Sequence, residues 1–232
     1  MRHNDMDMDK DLEKQAVARA ALSFVENGQV VGLGSGSTST YFIQFLADRV
    51  KAGLKIRGVP TSVRTQQLAE KCGIPLATLD QVEALDIDVD GADEFDPQLQ
   101  LVKGGGGALL REKIIASASK KFVVLADSSK QVPILGKFPL PVEVIPFAET
   151  LLTQRISALG ATVTLRKTMD GTAYKTDEGH HILDCHFGRI PDPAKLARTL
   201  SDMPGIVEHG LFINMASVVL LAKGEQVTEL RR

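Results

Sequence analysis

The chain has 232 residues, of which 44% are hydrophobic and 24% are charged, and its formal net charge is -2. This composition is typical of a globular protein with one large domain, or with one domain and a small companion. The near-neutral charge gives no general attraction to nucleic acid, although a small anionic ligand needs only a local cluster of cations.

Three features predict a cytoplasmic protein. The N-terminal residues MRHNDMDMDKDLEK are polar and acidic, unlike a signal or transit peptide. The longest uninterrupted apolar stretch, residues 215–222, is too short to span a bilayer. Cys72 and Cys185 lie far apart and in no paired motif, which indicates a reducing compartment rather than a disulfide framework.

The first half of the chain alternates helices and strands. The first predicted helix has Leu12, Ala16, Ala20 and Phe24 on one face and ends at Asn27-Gly28. A later helix is capped by Thr61 or Ser62 and ends at Gly73. The other predicted elements are strands at 30–34, 55–59, 87–89 and 122–126 and helices at 40–50 and 108–118. This alternation predicts a mostly parallel sheet with helices on both faces.

The pattern changes at Lys137. The segment KFPLPVEVIP contains three prolines and predicts a connector that enters an edge strand. The elements predicted after it are a helix at 148–159, strands at 162–166 and 181–187 around a polar hairpin, a helix at 193–201 and a strand at 206–208. This β-α-β-β-α-β order is typical of a ferredoxin-like domain. The apolar segment 211–221 is predicted to rejoin the first sheet.

The sequence therefore predicts an α/β fold with two domains. Residues 1–137 plus 210–232 are expected to form a mostly parallel, Rossmann-like sheet domain, and residues 138–209 a smaller, ferredoxin-like α+β domain. Three polar segments directly follow predicted strands. Because ligands bind at the carboxyl ends of strands in open α/β sheets, all three are candidates for one crevice.

The first segment is Gly34-Ser35-Gly36-Ser37-Thr38-Ser39. Its glycines, its hydroxyls and the free amides of the following helix suit a phosphate group. It lacks the lysine of a P-loop and the third glycine of a dinucleotide-binding motif. The alternative interpretation is a tight strand-to-helix turn with a Ser/Thr cap.

The second segment is Asp90-Gly91-Ala92-Asp93-Glu94, which has three acids within five positions. Neighbouring carboxylates disfavour one another's charged form, which suits proton transfer. The alternatives are a solvated acidic turn or a magnesium site, and a single turn offers little support for the metal.

The third segment is a lysine followed by four glycines, Lys103-Gly104-Gly105-Gly106-Gly107, before a helix. Four glycines have a high cost in chain entropy, which a loop that wraps a ligand would explain. Lys103 offers a fixed positive charge for a developing oxyanion. Glu112 is expected about two turns into the helix at about 3.6 residues per turn, and residue physics alone favours an exposed helical glutamate there.

Five motifs together resemble those of type A ribose-5-phosphate isomerases: VGLGSGST, VDGADE, KGGGGALLREKI, VLADSSK and GKFPLPVEVIP. They occur in the order and at the spacing of that family, and the resemblance extends from about Leu12 to the C-terminus. It implies an aldose–ketose isomerase that interconverts ribose 5-phosphate and ribulose 5-phosphate through an enediolate. It also implies a homodimer or homotetramer, with no cofactor, no metal, and no nucleic-acid or membrane partner.

The resemblance implies roles for the matching residues. Glu112 corresponds to the general base, Asp90 and Asp93 to carboxylates that handle hydroxyl protons, and Lys103 to a group at the reacting oxygens. The substrate-binding positions that it implies are Ser35, Gly36, Ser37, Thr38, Gly91, Ala92, Gly104, Gly105, Gly106, Lys130 and, by a looser match, Lys14. Two positions depart from the family pattern: Ser35 replaces a more usual threonine, and Leu110 stands where a small hydroxyl residue is common.

Other functions remain open from the residues alone. A sugar-phosphate sensor without turnover, an amino-sugar phosphate deaminase and a coenzyme A transferase share the architecture, but the five motifs favour the isomerase. His180, His181 and His186 lie close together on a predicted strand. They are too few for a zinc site, so we interpret them as surface or packing residues.

Overall fold

The computed structural model describes the backbone of residues 3–232 and the side chains of residues 9–232. The chain forms two compact units. The parallel-sheet unit contains the described residues up to Ala92, together with Arg111–Gln131 and Met215–Arg232. The antiparallel-sheet unit contains Asp93–Leu110 and Val132–Asn214.

The bounds of the elements follow in chain order for the described part of the chain. The helices are α1 (His3–Ala21), α2 (Ser37–Lys51), α3 (Val63–Cys72), α4 (Leu109–Ser117), α5 (Glu149–Ser157) and α6 (Pro193–Ser201). The strands are β1 (Val30–Leu33), β2 (Arg57–Pro60), β3 (Ile87–Gly91), β4 (Glu94–Phe95), β5 (Leu101–Val102), β6 (Phe122–Ala126), β7 (Leu140–Val144), β8 (Thr162–Leu165), β9 (His181–His186), β10 (Ile206–His209), β11 (Leu211–Phe212), β12 (Val218–Lys223) and β13 (Gln226–Arg231).

The parallel-sheet unit has a six-stranded sheet in the order β13-β12-β6-β3-β1-β2. Every neighbouring pair is parallel except β12 with β13. The predicted mostly parallel sheet is therefore confirmed. Because β1, β3 and β6 run in the same direction, the loops that follow them emerge at one edge of this sheet.

Strand alternation divides the side chains of this sheet between two faces. The apolar residues of β1 and β3, such as Leu33 and Val89, pack with the buried faces of α1, α2 and α3. The alternate residues Asp88 and Asp90 of β3 point to the other face. On that face Asp88 and Ile115 of α4 lie so close to Gly32 that a Cβ atom there would overlap both. A buried strand thus presents two carboxylates toward the side that carries α4.

The apolar face of α1 differs from the predicted one. Leu12 is 54% exposed, whereas Val17, Ala18 and Ala21 are buried completely. The helix ends at Ala21, before the predicted stop at Asn27-Gly28, and a short 3-10 turn follows it. The prediction relied on a strict four-residue spacing, which drifts around a helix of about 3.6 residues per turn.

The antiparallel-sheet unit contains a four-stranded sheet in the order β10-β7-β9-β8, with all pairs antiparallel. This order and the positions of α5 and α6 confirm the ferredoxin-like arrangement. The prediction that the proline-containing segment enters an edge strand is wrong, because that strand, β7, lies between β10 and β9. Pro141 is tolerated in this inner strand. Its backbone oxygen accepts from the Gly210 N–H, and Gly210 lies just beyond His209, the last residue of β10 that pairs with β7. The missing N–H of the proline therefore removes no hydrogen bond between β7 and β10.

A second, three-stranded sheet in this unit has the order β11-β5-β4. Each of its strands has only two residues, which is too short for a sequence pattern to reveal a strand. The predicted tail is therefore correct only in part, since Val218–Lys223 joins the main sheet but Leu211–Phe212 pairs with β5.

In the described part of the chain, none of the helices combines the length and the apolar character that crossing a membrane requires.

Glu13 links three segments of the parallel-sheet unit. Its side chain is only 7% exposed although it lies on α1. Its two oxygens accept hydrogen bonds from the backbone N–H groups of Ser128, at 2.8 Å, and Gly224, at 2.9 Å. One carboxylate thereby fixes the middle of α1 against the turn after β6 and the turn between β12 and β13.

We expect Glu13→Ala to lower the free energy of unfolding by about 3 kcal/mol, because it removes two charge-assisted hydrogen bonds and leaves two backbone donors unsatisfied. Denaturant titration at one fixed protein concentration measures this loss. Asp48→Ala is the control, since Asp48 is exposed and pairs with the exposed Lys51, and its cost should stay within about 0.5 kcal/mol. Equal losses in both variants would contradict a linking role for Glu13.

Candidate active site

The loop between β1 and α2 presents an exposed helix terminus. Gly36 is the N-cap residue of α2, with φ of 106° and no side-chain cap. Gly36 and Ser37 are exposed, and Thr38 is half-buried. The first backbone N–H groups of a helix have no partner inside it and favour anions. This end of α2 can therefore receive a phosphate group, as the sequence predicts.

Asp90 organises this loop from the end of β3. Its side chain is fully buried, and its Oδ1 accepts hydrogen bonds from the Ser35 N–H at 3.0 Å, the Ser39 hydroxyl at 3.0 Å and the Gly91 N–H at 2.7 Å. Gly34 lies against the same carboxylate, and a Cβ atom there would overlap it. The glycine is required because the backbone passes directly over a buried charged group.

The hydroxyl of Ser35 belongs to a cluster of hydroxyl groups rather than to an exposed surface. Its Oγ lies 2.9 Å from Thr61 Oγ1, 2.7 Å from Ser62 Oγ and 3.0 Å from Thr65 Oγ1. Ser62 also caps α3 by accepting from the Thr65 N–H at 3.0 Å. Ser35 thus ties the loop after β1 to the start of α3. Sequence analysis found the cap but not this cluster, because hydroxyl residues after a strand are common in any turn.

Glu112 lies in the first turn of α4 and is only 3% exposed. The interpretation as an exposed helical glutamate is therefore wrong, as is the placement two turns into the helix. Burial of a carboxylate is costly unless a specific environment or function maintains it. The position near the helix start is favourable for a negative charge. Leu110, two residues before Glu112, is half-buried.

Lys14 lies near the level of the first turns of α2, because α1 and α2 run in the same direction. The Arg19 guanidinium lies 4.0 Å from the ring centre of Phe45, and Arg49 donates to the backbone oxygen of Leu22. Lys14 precedes Arg19 by five residues, or about 7.5 Å along the helix. Lys14 Nζ contacts Asp11 Oδ1 at 3.2 Å.

Lys130 ends the short turn after β6. The Asp127 side chain stabilises this turn by accepting a hydrogen bond from the Ser129 N–H at 3.0 Å, and the Lys130 N–H donates to the Asp127 oxygen at 3.1 Å. Glu13 holds the same turn through Ser128. The parallel-sheet unit therefore gathers one group of the predicted residues at the carboxyl edge of its sheet: Ser35, Gly36, Ser37, Thr38, Asp90, Gly91 and Lys130.

The antiparallel-sheet unit contains the whole of the segment Lys103–Gly107. Lys103 is 2% exposed, and its ammonium group lies 5.4 Å from the ring centre of Phe212. The loop that follows is closed by a hydrogen bond of 3.0 Å from the Gly107 N–H to the Gly104 oxygen. Gly105 and Gly106 are exposed, and Asp93 Oδ2 accepts from the Gly105 N–H at 2.7 Å. The predicted residues Asp93, Lys103 and Gly104 to Gly106 thus form a second group.

Ala92 ends the parallel-sheet unit and is half-buried. The chain passes directly from it to Asp93 in the other unit, and it returns between Leu110 and Arg111 within α4. The first of these two crossings lies inside the acidic segment Asp90–Glu94, and the second lies in the helix that follows the glycine segment.

Two residues that sequence analysis missed are Asp88 and Glu13. Asp88 is fully buried on β3, two positions before Asp90. The available signal was the alternation of acids in the segment IDVDG, since an acid in a buried strand needs a specific environment. Glu13 has no comparable signal, because a glutamate on a polar helix is ordinarily exposed.

The histidines make carboxylate contacts in the antiparallel-sheet unit. His180 Nδ1 lies 2.9 Å from Glu143 Oε1, and His181 Nδ1 lies 2.6 Å from Glu149 Oε2. His186 is exposed at the end of β9. Among residues 9–232, no three His, Cys, Asp or Glu side chains form a group suited to holding a metal ion.

Comparison with known sequences identifies the family to which this chain is similar. Residues 57–226 match the family described as Ribose 5-phosphate isomerase A (phosphoriboisomerase A). A Ribose-5-phosphate isomerase A of Rhodopseudomonas palustris is 52% identical over 229 residues, which cover 96% of this chain and 98% of the relative. The Bradyrhizobium diazoefficiens protein of the same name is 52% identical over 239 residues, covering 98% of both chains.

Solved structures agree with this comparison. A D-ribose-5-phosphate isomerase in complex with phospho-erythronic acid has a TM-score of 0.92 and 43% identity, and the match covers 95% of this chain and 98% of that one. The ribose 5-phosphate isomerase A of Methanocaldococcus jannaschii has a TM-score of 0.91 and 39% identity with the same coverage. The chain therefore belongs to the ribose 5-phosphate isomerase A family.

Proposed function

We propose that this protein interconverts D-ribose 5-phosphate and D-ribulose 5-phosphate through an enediolate, as a step of the non-oxidative pentose phosphate pathway. The observation that carries the proposal is Glu112, a carboxylate that the first turn of α4 keeps only 3% exposed. Because burying a charged group is costly, a glutamate that served only to keep a helix surface in contact with water would be exposed. A solved relative binds phospho-erythronic acid, a compound with both a carboxylate and a phosphate, which supports the same substrate class.

Glu112 is the base of the proposed reaction. It removes the proton from C2 of the open-chain aldose; the electron pair of that C–H bond forms the C1–C2 double bond, and the π electrons of the C1=O bond move to O1, which gives the enediolate. The same carboxyl group then returns the proton to C1, while the O2 hydroxyl loses a proton and O1 gains one. A single base can serve both steps because the two carbons are adjacent. Asp90 and Asp93 handle the hydroxyl protons, and no atom is gained or lost overall.

Lys103 and the amides of the glycine loop stabilise the enediolate in this proposal. Negative charge develops on oxygen as the C2 proton leaves, and preorganised positive groups are most effective where water is excluded. The 2% exposure of Lys103 supports that role, since a buried ammonium group acts at short range in a low dielectric.

The phosphate group is bound by the start of α2 in this proposal. The helix amides, the hydroxyls of Ser37 and Thr38, and the ammonium groups of Lys14 and Lys130 supply donors and positive charge. Gly91 and Ala92 line the adjoining acidic turn. Binding at the phosphate orients the distant C1–C2 end of the sugar.

We also propose that the protein acts in the cytoplasm and as an oligomer of identical chains. Cys72 and Cys185 are both free, which suits a reducing compartment. Burial raises the pKa of the Cys185 thiol to about 12. Phe147 is 98% exposed, and Ile145 and Leu151 beside it in sequence are 38% and 46% exposed. Exposed apolar side chains that follow one another closely in the chain support self-association.

The base is tested by Glu112→Gln, which keeps the shape of the side chain and removes its basicity. We expect kcat for ribose 5-phosphate to fall by at least about 10²–10⁴-fold, the usual contribution of a positioned base, while the substrate still binds. Glu70→Gln, at an exposed carboxylate of α3, should retain the wild-type kcat. The assay follows ketopentose phosphate in excess chelator. Near wild-type turnover by Glu112→Gln would exclude Glu112 as the base. A wild-type protein that binds ribose 5-phosphate without converting it would instead be a sensor of the sugar phosphate.

The phosphate site is tested by comparing D-ribose with its 5-phosphate. We expect kcat/KM for ribose to be lower by about 10³-fold, because two or more charge-assisted hydrogen bonds are lost. Lys14→Ala should raise KM for the phosphate by about 10-fold, equivalent to one such bond, and leave ribose turnover unchanged. Lys51→Ala, at the far end of α2, is the matched control. Similar turnover of both sugars would contradict phosphate binding at this loop.

Self-association is tested by Phe147→Asp. We expect the wild type to have a mass above the 25.0 kDa of one chain in light scattering, and Phe147→Asp to shift toward that mass, because a charge cannot be buried in an apolar contact without large cost. Met169→Asp, at a fully exposed residue of another segment, should leave the mass unchanged. A wild type of 25.0 kDa at all concentrations would refute the oligomer.

A further inference from the structure

Arg166 directly follows β8 and forms a two-pronged ion pair with Asp184 of β9. Its Nε donates to Asp184 Oδ2 at 2.9 Å, and its Nη2 donates to Asp184 Oδ1 at 2.5 Å. The side chains of Arg166 and Asp184 are 15% and 20% exposed. Such paired hydrogen bonds hold a planar guanidinium group in one orientation, so the direction of the remaining nitrogen is fixed as well.

That remaining nitrogen, Nη1, contacts the glycine loop. It donates to the backbone oxygen of Gly104 at 2.9 Å and to that of Gly105 at 3.2 Å. Both carbonyl groups therefore converge on one atom. In a trans peptide the carbonyl group and the next N–H group point in opposite directions. The N–H groups of Gly105 and Gly106 consequently point away from Arg166.

The contact of Gly105 agrees with this geometry. Its N–H group donates to Asp93 Oδ2 at 2.7 Å, on the side opposite to the carbonyl that Arg166 holds. Glycine has the widest choice of backbone conformations, so a loop of four glycines does not fix its own amide directions. Arg166 supplies the constraint that the loop sequence lacks. The positive charge of Arg166, which lies beside these carbonyl oxygens, also polarises the peptide groups and makes their N–H groups better donors.

Tyr174 supports the same loop at its other end. Gly107 has φ of 80°, and its Cα lies so close to the Tyr174 hydroxyl that a Cβ atom would overlap it. The Tyr174 N–H donates to the Arg166 oxygen at 2.9 Å, and the Arg166 guanidinium lies 5.9 Å from the Tyr174 ring centre. The two residues thus come from one hairpin and contact the glycine loop at both ends.

We propose that the Arg166–Asp184 pair is a positioning device that holds the Gly105 amide on Asp93 and sets the direction of the Gly106 amide, and through the Gly106 amide the stabilisation of the reaction's oxyanion. Arg166 itself does not touch the reacting atoms. The inference rests on the proposed function, because it assigns a role within the same glycine loop. It adds a residue of the hairpin after β8 to the residues that govern turnover.

Arg166→Ala tests the proposal in the intact protein. Loss of an oxyanion donor typically lowers kcat by about 10²–10³-fold. We expect a reduction of kcat approaching that range, with KM for ribose 5-phosphate changed by less than about threefold because the phosphate contacts remain. Added guanidinium chloride at millimolar concentration should restore part of kcat. Arg155→Ala, at an exposed arginine of α5 in the same unit, should keep wild-type kcat and show no response to guanidinium.

Two further variants apply if Arg166→Ala fails to fold. Arg166→Lys keeps the charge but loses the fork, and Asp184→Asn keeps the shape but loses one charge of the pair, so both should lower kcat at unchanged KM. A kcat equal to wild type in folded Arg166→Ala or Arg166→Lys would overturn the proposal. A loss of kcat that follows the loss of thermal stability and does not respond to guanidinium would overturn it too.

Ligand binding separates this inference from the proposed function. By calorimetry, we expect Arg166→Ala to bind phospho-erythronic acid at least about tenfold more weakly, since oriented donors contribute most to a charged intermediate-like group, and to bind inorganic phosphate as the wild type does. Equal affinity of both proteins for phospho-erythronic acid would overturn the positioning role alone. A wild type that neither binds this compound nor turns over ribose 5-phosphate would overturn the proposed function and the inference together.

Discussion

Asp90 places a buried negative charge at the carboxyl end of β3, and a buried carboxylate is stable only where donors surround it. The donors to its Oδ1 come from the loop after β1, from α2 and from the last residue of β3 itself. The conformation of the loop between β1 and α2 thus depends on the strand beside it rather than on its own serines and glycines. Gly34 follows from the same constraint, since only a residue without Cβ can pass this carboxylate.

Other loops of the protein are held in the same manner. Glu13 accepts from two backbone N–H groups in turns that are far apart in sequence. Glu94 is 3% exposed and accepts from the N–H groups of Gly136, at 2.8 Å, and Phe138. Asp93 accepts from Gly105. A carboxylate can satisfy several backbone donors in a segment without regular structure, so these acids replace the hydrogen bonds that a helix or sheet would provide.

Repetitive elements were the part of the fold that the sequence could predict. The alternation of strands and helices indicates the parallel sheet, and the order of elements after Lys137 indicates the antiparallel one. The sequence could not indicate β4, β5 and β11, because two residues carry no periodicity. The edge position assigned to β7 failed for another reason: a proline is excluded from an inner strand only where its nitrogen would face a paired neighbour.

The candidate site divides along the same line. Its chemical residues occur in compact segments after strands, which a reading of the sequence can identify. The burial of Glu112 could not be predicted from the sequence. The residues that bury a side chain in the first turn of a helix come from other segments of the chain, which helical periodicity does not identify. Asp88 is intermediate, since its alternation with Asp90 was visible but its fully buried position was not.

Arg166 shows the limit most clearly, because it follows Lys103 by 63 positions and belongs to no motif. Its importance depends on a pairing across β8 and β9 that aims one nitrogen at two carbonyl groups. A glycine-rich loop can approach a ligand closely because it lacks side chains, and for the same reason it cannot hold itself in place. Catalysis by oriented amides needs both properties. A sequence with four adjacent glycines therefore implies that a constraint exists elsewhere in the chain, although only the folded structure identifies the residue that supplies it.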